Sequence, residues 1–321
     1  MRRVGILVTL VTLVTLVTLA ACRRGESTSQ GPNKVRVQLN WVAEPEFGGV
    51  YAARVSGAYQ RAGLEVEIVG GAAGTPVLQI VAGGQADFGV VGADDVVLAR
   101  ARGVDVVAVL ASFQHSPLGV MVHASRGLNA LEELKSGTLA IEPGLPFGAW
   151  LKKSYGFAGV SVVPYDGGIA KLLADPHWAQ QCYVTSEPVA ARKKGVQVTV
   201  FPAKDTGFDP YANVLIARGE TLRERPALVE RFVTATREGW RAYLADPKPA
   251  NAVMAKQNPA MDAATFDEVA KVQEPLVRGE LEADALGDMS ESRFATLAAQ
   301  LVELGTIAKA PPARECFVNV K

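Results

Sequence analysis

The sequence predicts an α/β protein with two lobes, each a mainly parallel sheet covered by helices on both faces, and a ligand cleft between the lobes. Three observations predict this class. Strand and helix patterns alternate from residue 35 to residue 217, helix patterns alone follow, and 321 residues suffice for two such units. Ligands of open α/β sheets bind in the crevice beyond the strand ends, so we expect functional residues in the loops there.

The chain begins with a pattern typical of an export signal. Arg2 and Arg3 precede an apolar run, residues 4–19, that is shorter than the roughly 20 residues of a spanning helix. Residues 19–22 (LAAC) then resemble the lipobox of bacterial lipoproteins. That resemblance implies cleavage after residue 21, acylation of Cys22 and attachment to a membrane of the cell envelope. An ordinary cleaved signal with an incidental cysteine is the alternative.

A polar stretch separates this signal from the folded part. Residues 23–33 (RRGESTSQGPN) contain no apolar side chain, which is typical of a tether. We therefore expect a signal peptide over residues 1–21 and a lipidated tether over residues 22–33. Arg23 leaves the choice between inner and outer membrane open.

The first lobe opens with a strand and a helix. Apolar residues alternate at period two over 35–39, and others recur at period four over 51–59, before Gly63. Thr75 before Pro76 is a favoured N-cap and first residue of the next helix. Further strands are predicted at 65–69, 88–91 and 106–110, with a helix capped by Asp94 between the last two.

After a break at residues 115–117 the alternation resumes, and then the chain turns helical. The strands predicted after the break are 120–122, 138–141, 160–163, 182–185, 196–200 and 214–217. The long helices predicted after them are 228–244, 263–277 and 294–304, which could pack back on the first lobe.

Two chain crossings divide the lobes, one near residues 113–118 and one near 209–214. We therefore expect lobe 1 to comprise residues 34–114 and 212–321, and lobe 2 to comprise residues 115–211.

Composition and charge exclude several function classes. Hydrophobic residues make up 49% of the chain and charged residues 21%, as in a folded protein with a sizeable core. Lys+Arg and Asp+Glu number 33 each, so the chain has no positive field that would favour nucleic acid. The three cysteines form no CxxC pair and the three histidines no HExxH pattern, so we expect no metal and no cofactor.

Several segments carry a family resemblance. Residues 40–49 (NWVAEPEFGG), 51–53 (YAA), 57–59 (GAY) and 62–64 (AGL) resemble the N-terminal signature of solute-binding proteins from ABC importers. The most similar branch binds thiamine pyrimidine precursors, within the group that includes alkanesulfonate, taurine and nitrate receptors. Two later segments also match that family, namely 83–89 (GGQADFG) and 186–188 (SEP).

The resemblance runs from about residue 35 to residue 244. It implies a type II periplasmic-binding fold and capture of a small heteroaromatic solute, such as a thiamine pyrimidine precursor, by closure of the lobes. It also implies delivery to an ABC permease with its ATPase subunits. We expect a monomer held to the membrane by its lipid anchor.

Aromatic residues near strand ends are candidates for the wall of the cleft. These are Trp41, Tyr51, Tyr165, Tyr183 and Tyr211, on which a flat ring could stack. Trp41 follows a strand in a polar loop, which favours ligand contact over the core. Tyr51 lies on a helix at core spacing, so a position in the core and a position at the cleft are both compatible with the sequence. Tyr183 alternates within a strand and Tyr211 sits at the second crossing.

Carboxylates and one amide complete the candidate site. Glu44, Glu46 and Glu187 could accept N–H bonds from an amino-substituted ring or an amine, although solvated loop acids are the alternative. Asp94 fits an N-cap as well as a ligand contact. Gln114 fits ligand contact or hydrogen bonding within the first crossing.

Other functions are also compatible with these sequence features. Helix starts after residues 70–75 and 144–147 could bind an anion, which keeps an alkanesulfonate or other organic anion as the second solute class, although those loops lack Lys and Arg. A flavin is another heteroaromatic candidate. A purely structural lipoprotein is a third class of function.

An enzyme is the competing class, because this fold also serves the fungal-type synthase of the thiamine pyrimidine and a chorismate dehydratase. The export signal argues against an enzyme, as does the absence of the synthase's cysteine-rich motif and of a GxSxG pattern. We therefore expect no catalytic residues. Cys182 and Cys316 could pair in an oxidising envelope, but their spacing does not decide this.

Overall fold

The computed structural model describes residues 33–321. The predicted signal peptide, Cys22 and the tether up to residue 32 lie outside the described residues. Within the described part of the chain, no helix is both long and apolar enough to cross a membrane.

Strands and helices of the described residues alternate up to residue 218, and helices follow. The strands are β1 (Asn33–Gln38), β2 (Leu64–Val69), β3 (Phe88–Val91), β4 (Val106–Phe113), β5 (Leu118–His123), β6 (Gly137–Ile141), β7 (Val160–Pro164), β8 (Trp178–Tyr183), β9 (Val198–Pro202) and β10 (Ala212–Arg218). The helices are α1 (Gly48–Val55), α2 (Ala58–Arg61), α3 (Val77–Ala82), α4 (Ala93–Ala101), α5 (Pro146–Tyr155), α6 (Ala170–Ala174), α7 (Glu187–Lys193), α8 (Gly219–Glu224), α9 (Pro226–Ala245), α10 (Lys248–Gln257), α11 (Ala263–Arg278) and α12 (Glu291–Glu303).

The strands form two five-stranded sheets. The first has the order β2-β1-β3-β10-β4 and the second the order β7-β6-β8-β5-β9. We call the first sheet with its helices lobe 1 and the second lobe 2. This confirms the predicted α/β class with helix-covered sheets, while the exact domain boundaries stay a prediction.

Each sheet contains one strand that runs against the others. β10 is antiparallel to β3 and β4, and β5 is antiparallel to β8 and β9, while the remaining pairs are parallel. Each of these two strands follows a crossing between lobes and therefore enters its sheet from the cleft side. The carboxyl ends of β1, β3 and β4 consequently share an edge with the amino end of β10. The ends of β6, β7 and β8 share the corresponding edge of lobe 2 with the start of β5.

Three predicted boundaries shift for identifiable reasons. The first helix breaks into α1 and α2, because Gly57 between them takes a left-handed conformation with φ 75°. The helix at Pro76 begins one residue later, and the Thr75 hydroxyl accepts a hydrogen bond from the Ala72 N–H instead. Strand β8 begins four residues before its predicted start, because its first half is polar but buried: Gln180 is 0% and Gln181 4% exposed.

Helices α1 and α9 pack closely against each other over lobe 1. A Cβ added at Gly239 would lie 2.2 Å from the Gly49 carbonyl oxygen, and one added at Gly49 would lie 2.3 Å from the Trp240 ring. Below the contact between α1 and α9, Phe232 stacks on Phe88 of β3 with ring centroids 4.0 Å apart. The core therefore fixes α1, and with it the loop before α1, relative to the strand ends.

The two crossings between lobes are joined to each other. In the first crossing, His115 Nδ1 lies 2.7 Å from Asp209 Oδ2 of the second, and the Ser116 N–H donates to Asp209 Oδ1 at 2.7 Å. Arg293 of α12 donates to the Asp209 carbonyl oxygen at 2.7 Å. The chain segments about which the lobes could rotate are thus held side by side.

Candidate functional site

Polar residues from both lobes lie where the facing strand edges meet. Glu44 and Glu46 follow β1 in the loop that leads to α1, and Asp94 lies in the first turn of α4, directly after β3. Glu187 is the first residue of α7 and follows β8 of lobe 2. We call Glu44, Glu46, Asp94 and Glu187 the acidic cluster.

The members of the acidic cluster interact electrostatically across the lobes. The charge of Glu187 raises the pKa of both Glu44 and Glu46, after the larger effect of burial. The pKa of the Tyr183 hydroxyl is raised by burial first and then by Glu46, Asp94 and Glu187. Tyr183 therefore lies within reach of carboxylates from both lobes.

The carboxyl groups of the cluster are difficult to ionise. Desolvation is the main cause in each case. It raises the pKa of Glu44 to about 7, that of Glu46 to about 8 and that of Asp94 to about 7, with neighbouring acids contributing next. The pKa of Glu187 is also raised by burial. Glu44, Glu46 and Asp94 are therefore only partly ionised near neutral pH, and a nearby positive charge would favour their ionised forms.

Hydrogen-bond donors surround the cluster, but basic side chains do not. Asn258 Nδ2 donates to Glu44 Oε1 at 3.4 Å, and the Tyr165 hydroxyl donates to Glu187 Oε1 at 2.8 Å. The Tyr183 N–H donates to Glu187 Oε2 at 2.8 Å. Within the described chain, no Lys or Arg is among the groups that most affect the pKa values of these four carboxyls. The cluster thus lacks an internal counterion.

Local structure explains how Asp94 faces this space. The prediction that Asp94 caps α4 is wrong, because the N-cap is Gly92 and the Asp95 carboxylate accepts the Gly92 N–H at 3.2 Å. A Cβ on Gly92 would lie 2.2 Å from Asp94 Oδ1, so glycine leaves room for the Asp94 side chain there. Asp95 thus bonds the N-cap residue, while the N–H groups of Asp94 and Asp95 interact with the Asp94 carboxylate and lower its pKa against the larger effect of burial.

Trp41 lies at the edge of the same space. Its indole lies close enough to the Glu44 carboxyl to lower the pKa of that group, against the larger effects of burial and Glu187 that raise it. Trp41 is 38% exposed, so it is not a core residue. An exposed indole beside half-buried carboxylates is suited to stacking on a flat ring, and its contact with a solute stays a prediction.

The structure does not bring three of the predicted site residues to the acidic cluster. Tyr51 is fully buried in the core of lobe 1, and its hydroxyl donates to Gln257 Oε1 at 2.6 Å. Gln114 is buried in the first crossing and donates to the Asp288 carbonyl oxygen at 3.2 Å. Tyr211 packs under Arg293, whose guanidinium lies 3.8 Å from the ring centroid, and accepts from the Ser290 N–H at 2.9 Å.

Two asparagines beside the cluster were missed by sequence reasoning. Asn213, the second residue of β10, is 2% exposed and has φ 46°, a left-handed conformation that asparagine tolerates better than most residues. Its amide lies close enough to lower the pKa of Glu46, yet Nδ2 has no hydrogen-bond partner of acceptable geometry. Asn258 follows α10, far along the chain from Glu44, and no local pattern distinguishes it.

The described residues also include two cysteines and a surface depression. Cys182 and Cys316 are both free and buried, and no group of three or more residues in the described part is arranged to hold a metal ion. An open depression of about 470 Å³ at the far end of β10 is lined by charged side chains, of which Arg223 and Asp105 pair at 2.9 Å. Arg218 and Glu220 of the same lining also pair, at 3.8 Å.

Comparison with known proteins gives a family and two named relatives. A family model described as NMT1/THI5 like matches residues 44–250. The riboflavin-binding protein RibY of Chloroflexus aurantiacus is 26% identical over 232 residues, which are 68% of this chain and 64%, just under two thirds, of the relative. The formylaminopyrimidine-binding protein of Halalkalibacterium halodurans is 25% identical over 267 residues, 79% of each chain.

Two further similarities bear on fold and activity. The periplasmic aliphatic sulphonate binding protein SsuA of Escherichia coli superimposes with a TM-score of 0.69 at 16% identity, over 90% of this chain and 93% of the other. At that identity the similarity shows the fold alone. A 4-amino-5-hydroxymethyl-2-methylpyrimidine phosphate synthase of Legionella pneumophila is 28% identical over 102 residues, 32% of each chain.

Proposed function

The chain belongs to the NMT1/THI5-like family, and from this premise we propose that it is the solute-binding component of an ABC importer. It captures a small heteroaromatic solute between its lobes and hands it unaltered to a permease driven by ATPase subunits. The relatives named for binding riboflavin and formylaminopyrimidine support the binding role. The two-sheet fold, with polar residues at both facing edges, supports capture between lobes.

The observation that carries the proposal is the acidic cluster. Its carboxylates come from both lobes, and an aromatic side chain, Trp41, lies beside them. Carboxylates accept N–H bonds, so the arrangement suits a flat ring with amino substituents. An amino-substituted pyrimidine of the kind that precedes thiamine has this chemistry and is the solute we favour. A flavin is the next candidate.

The same cluster argues against the anionic solute class. A sulfonate placed between Glu46 and Glu187 would add a negative charge to a site without an internal counterion. Such a complex would carry a large electrostatic cost in a poorly solvated space. The structural similarity to a sulphonate-binding protein therefore extends to the fold and not to this choice of solute.

A purely binding role is favoured over catalysis. The synthase relative matches 32% of the chain, whereas the formylaminopyrimidine-binding relative matches 79%. The Cys182 thiol is buried next to the cluster, and burial raises its pKa well above the ordinary value, which makes it a poor nucleophile. We also propose an extracytoplasmic location with a lipid on Cys22, on the strength of the export signal and the LAAC segment.

Native mass spectrometry of the protein purified from its own host tests the proposal. The expected result is a one-to-one complex with a small amino-substituted heteroaromatic compound, recovered unchanged after denaturation. Calorimetric titration with 4-amino-5-hydroxymethyl-2-methylpyrimidine, riboflavin and an alkanesulfonate then ranks the three solute classes. Chemical conversion of any of them by the isolated protein would refute the binding role, and preference for the sulfonate would refute the solute class.

A further inference from the structure

Resting on the binding function above, we propose that the cleft takes its solute as a cation, whose positive charge among Glu44, Glu46 and Glu187 allows the two lobes to close. The charge of the solute would then regulate closure as well as affinity. The proposal follows from which lobe supplies each carboxylate and from one buried amide that has no partner.

The acidic cluster is assembled across the lobes. Glu44, Glu46 and Asp94 belong to lobe 1, while Glu187 belongs to lobe 2 and acts on Glu44 and Glu46. Closing the lobes therefore brings like charges together, and it removes water that would screen them. A cation in the cleft, or protonation of the carboxyl groups, reduces this repulsion and so favours closure.

The buried amide of Asn213 supplies an independent sign of a ligand. Asn213 is 2% exposed, and its Nδ2 has no partner although the Glu46 carboxyl is adjacent. A buried N–H without an acceptor is costly, so an acceptor atom on the solute is expected to receive it. The solute thus needs donors and positive charge toward the carboxylates, and a lone pair toward Asn213. A 4-aminopyrimidine that carries a protonated amine combines these features.

The groups that face the cluster are acids, hydroxyls, amides, the Trp41 indole and, beside Glu187, the Cys182 thiol. Beside lobe 1 they are Trp41 and Asn258 at Glu44, Asn213 at Glu46 and Asp95 at Asp94. Beside lobe 2 they are Tyr165 and Tyr183 at Glu187, and the Tyr183 hydroxyl also senses Glu142. Protons held by Glu44, Glu46 and Asp94 near neutral pH compete with a cation, because their pKa values lie at about 7 to 8. Cation binding should therefore release protons and strengthen from pH 6 to pH 8.

Two ion pairs at the edge of the cleft, which we call the rim, oppose the repulsion between the carboxylates of the two lobes. Lys193 at the end of α7 lies 3.3 Å from Asp262, and Arg192 lies 3.7 Å from Glu268 of α11. These pairs join lobe 2 to lobe 1 at exposed positions, where each contributes little. The sign of the charge in the cleft is therefore able to decide whether the lobes stay together.

Three pyrimidines that differ in one substituent test the proposal by calorimetry at pH 7.5. They are 4-amino-5-aminomethyl-2-methylpyrimidine, which carries an ammonium group, the neutral 5-hydroxymethyl compound and its anionic phosphate ester. We expect the aminomethyl compound to bind about tenfold or more tightly than the hydroxymethyl compound, and the phosphate ester weakest. Titrations in buffers of different ionisation enthalpy should show proton release. Equal or tighter binding of the hydroxymethyl compound or its ester would overturn the proposal.

A matched pair of variants separates the charge of the cleft from general effects. Glu187→Gln keeps the shape and removes one charge, so it should reduce the preference for the aminomethyl compound by about tenfold. Glu65→Gln makes the same chemical change at an exposed position on β2 and should leave the preference unchanged. An unaltered preference in Glu187→Gln would contradict the assigned role.

The effect of charge on closure can also be measured without any solute. If none of the three pyrimidines binds, the proposed solute class is wrong, but X-ray scattering of the ligand-free protein still tests whether charge controls closure. Acidification from pH 8 to pH 5, or Glu187→Gln at pH 8, should reduce the radius of gyration because repulsion between the lobes is removed. The same radius under all these conditions would overturn the proposal.

Discussion

Glu46 carries a large local electrostatic cost within the acidic cluster. Burial and the nearby Glu44 raise its pKa to about 8, against an ordinary value of 4.5. Between these two values the unfolded chain loses a proton that the folded protein keeps. The free energy of unfolding therefore contains the full contribution of the protonated Glu46 below pH 4.5, and this contribution is lost as the pH rises towards 8.

Replacing Glu46 with glutamine should stabilise the ligand-free protein at pH 8 and leave it little changed at pH 4.5. Glutamine keeps the shape but cannot ionise, so the expected gain at pH 8 is roughly 2–4 kcal/mol in free energy of unfolding. Urea unfolding of both proteins at the two pH values measures it, with Glu65→Gln as the exposed control. A gain of the same size at both pH values would show that burial of the charge is not the cause.

Trp41 is suited to binding because it contributes little to the core. It is 38% exposed and lies beside Glu44, so Trp41→Ala should leave the unfolding midpoint nearly unchanged. If the indole stacks on the solute, affinity should fall by about 1–2 kcal/mol. Trp178→Ala removes an indole from the start of β8, at the far edge of lobe 2, and serves as the control. Equal affinity of the Trp41 and Trp178 variants would rule out stacking on Trp41.

The positions of the acids were easier to predict from the sequence than the surroundings of the aromatic residues. Glu44, Asp94 and Glu187 follow strands, and parallel strands place their following loops at one edge, so their proximity could be anticipated. Tyr51 lies on a helix whose buried face and cleft face both accept an aromatic residue, and the structure places it in the core. Asn258 approaches Glu44 from a distant segment, which no local pattern encodes.

At the scale of elements, glycines set the distance between α1 and α9. A methyl group at residue 239 would lie 2.2 Å from the Gly49 carbonyl oxygen and 2.6 Å from Ala53 Cβ, and this oxygen and the neighbouring helix backbone cannot move aside. Gly→Ala in a helix ordinarily adds up to about 1 kcal/mol of stability. Here the overlap outweighs that gain.

Gly239→Ala should therefore destabilise the protein by about 1–3 kcal/mol, as overpacking of a core usually does. Urea unfolding at one pH measures the change. Gly70→Ala is the matched control, because a Cβ at Gly70 meets nothing within 4 Å. Wild-type stability of the Gly239 variant would mean that the two helices can separate without cost.

The elements themselves were predictable where hydrophobic periodicity was undisturbed. Strand β3 coincides with its predicted range, and α9 and α11 extend theirs by one to two residues at an end. Strand β8 does not coincide with its predicted range, because its first half contains the buried glutamines Gln180 and Gln181. Their hydrogen bonds to Gly168 and Glu142 replace apolar packing. Buried polar pairs of this kind look like loop residues in a sequence.

At the scale of the molecule, the two lobes could be predicted from the sequence, but the directions of all their strands could not. The count of alternating units indicates two sheets, but β5 and β10 each reverse direction after a crossing, and strand patterns carry no direction. The same reversal places both crossings at the cleft, where His115 and Asp209 join them. A rotation about that joint would change the gap between the acidic residues of the two lobes.

The rim pair Arg192 and Glu268 offers a test of closure that leaves the cleft untouched. Their side chains lie 3.7 Å apart, one on α7 and one on α11, and both are about two-fifths exposed. An exposed pair contributes roughly 0.2–1 kcal/mol, so Arg192→Glu, which converts attraction into repulsion, should weaken solute binding about two- to tenfold. The loss should shrink in 1 M salt, where the screening length falls to about 3 Å. Adding Glu268→Arg restores opposite charges and should recover the affinity. If the double variant binds no better than the single one, contact between α7 and α11 is absent from the solute-bound state, and closure must follow another path.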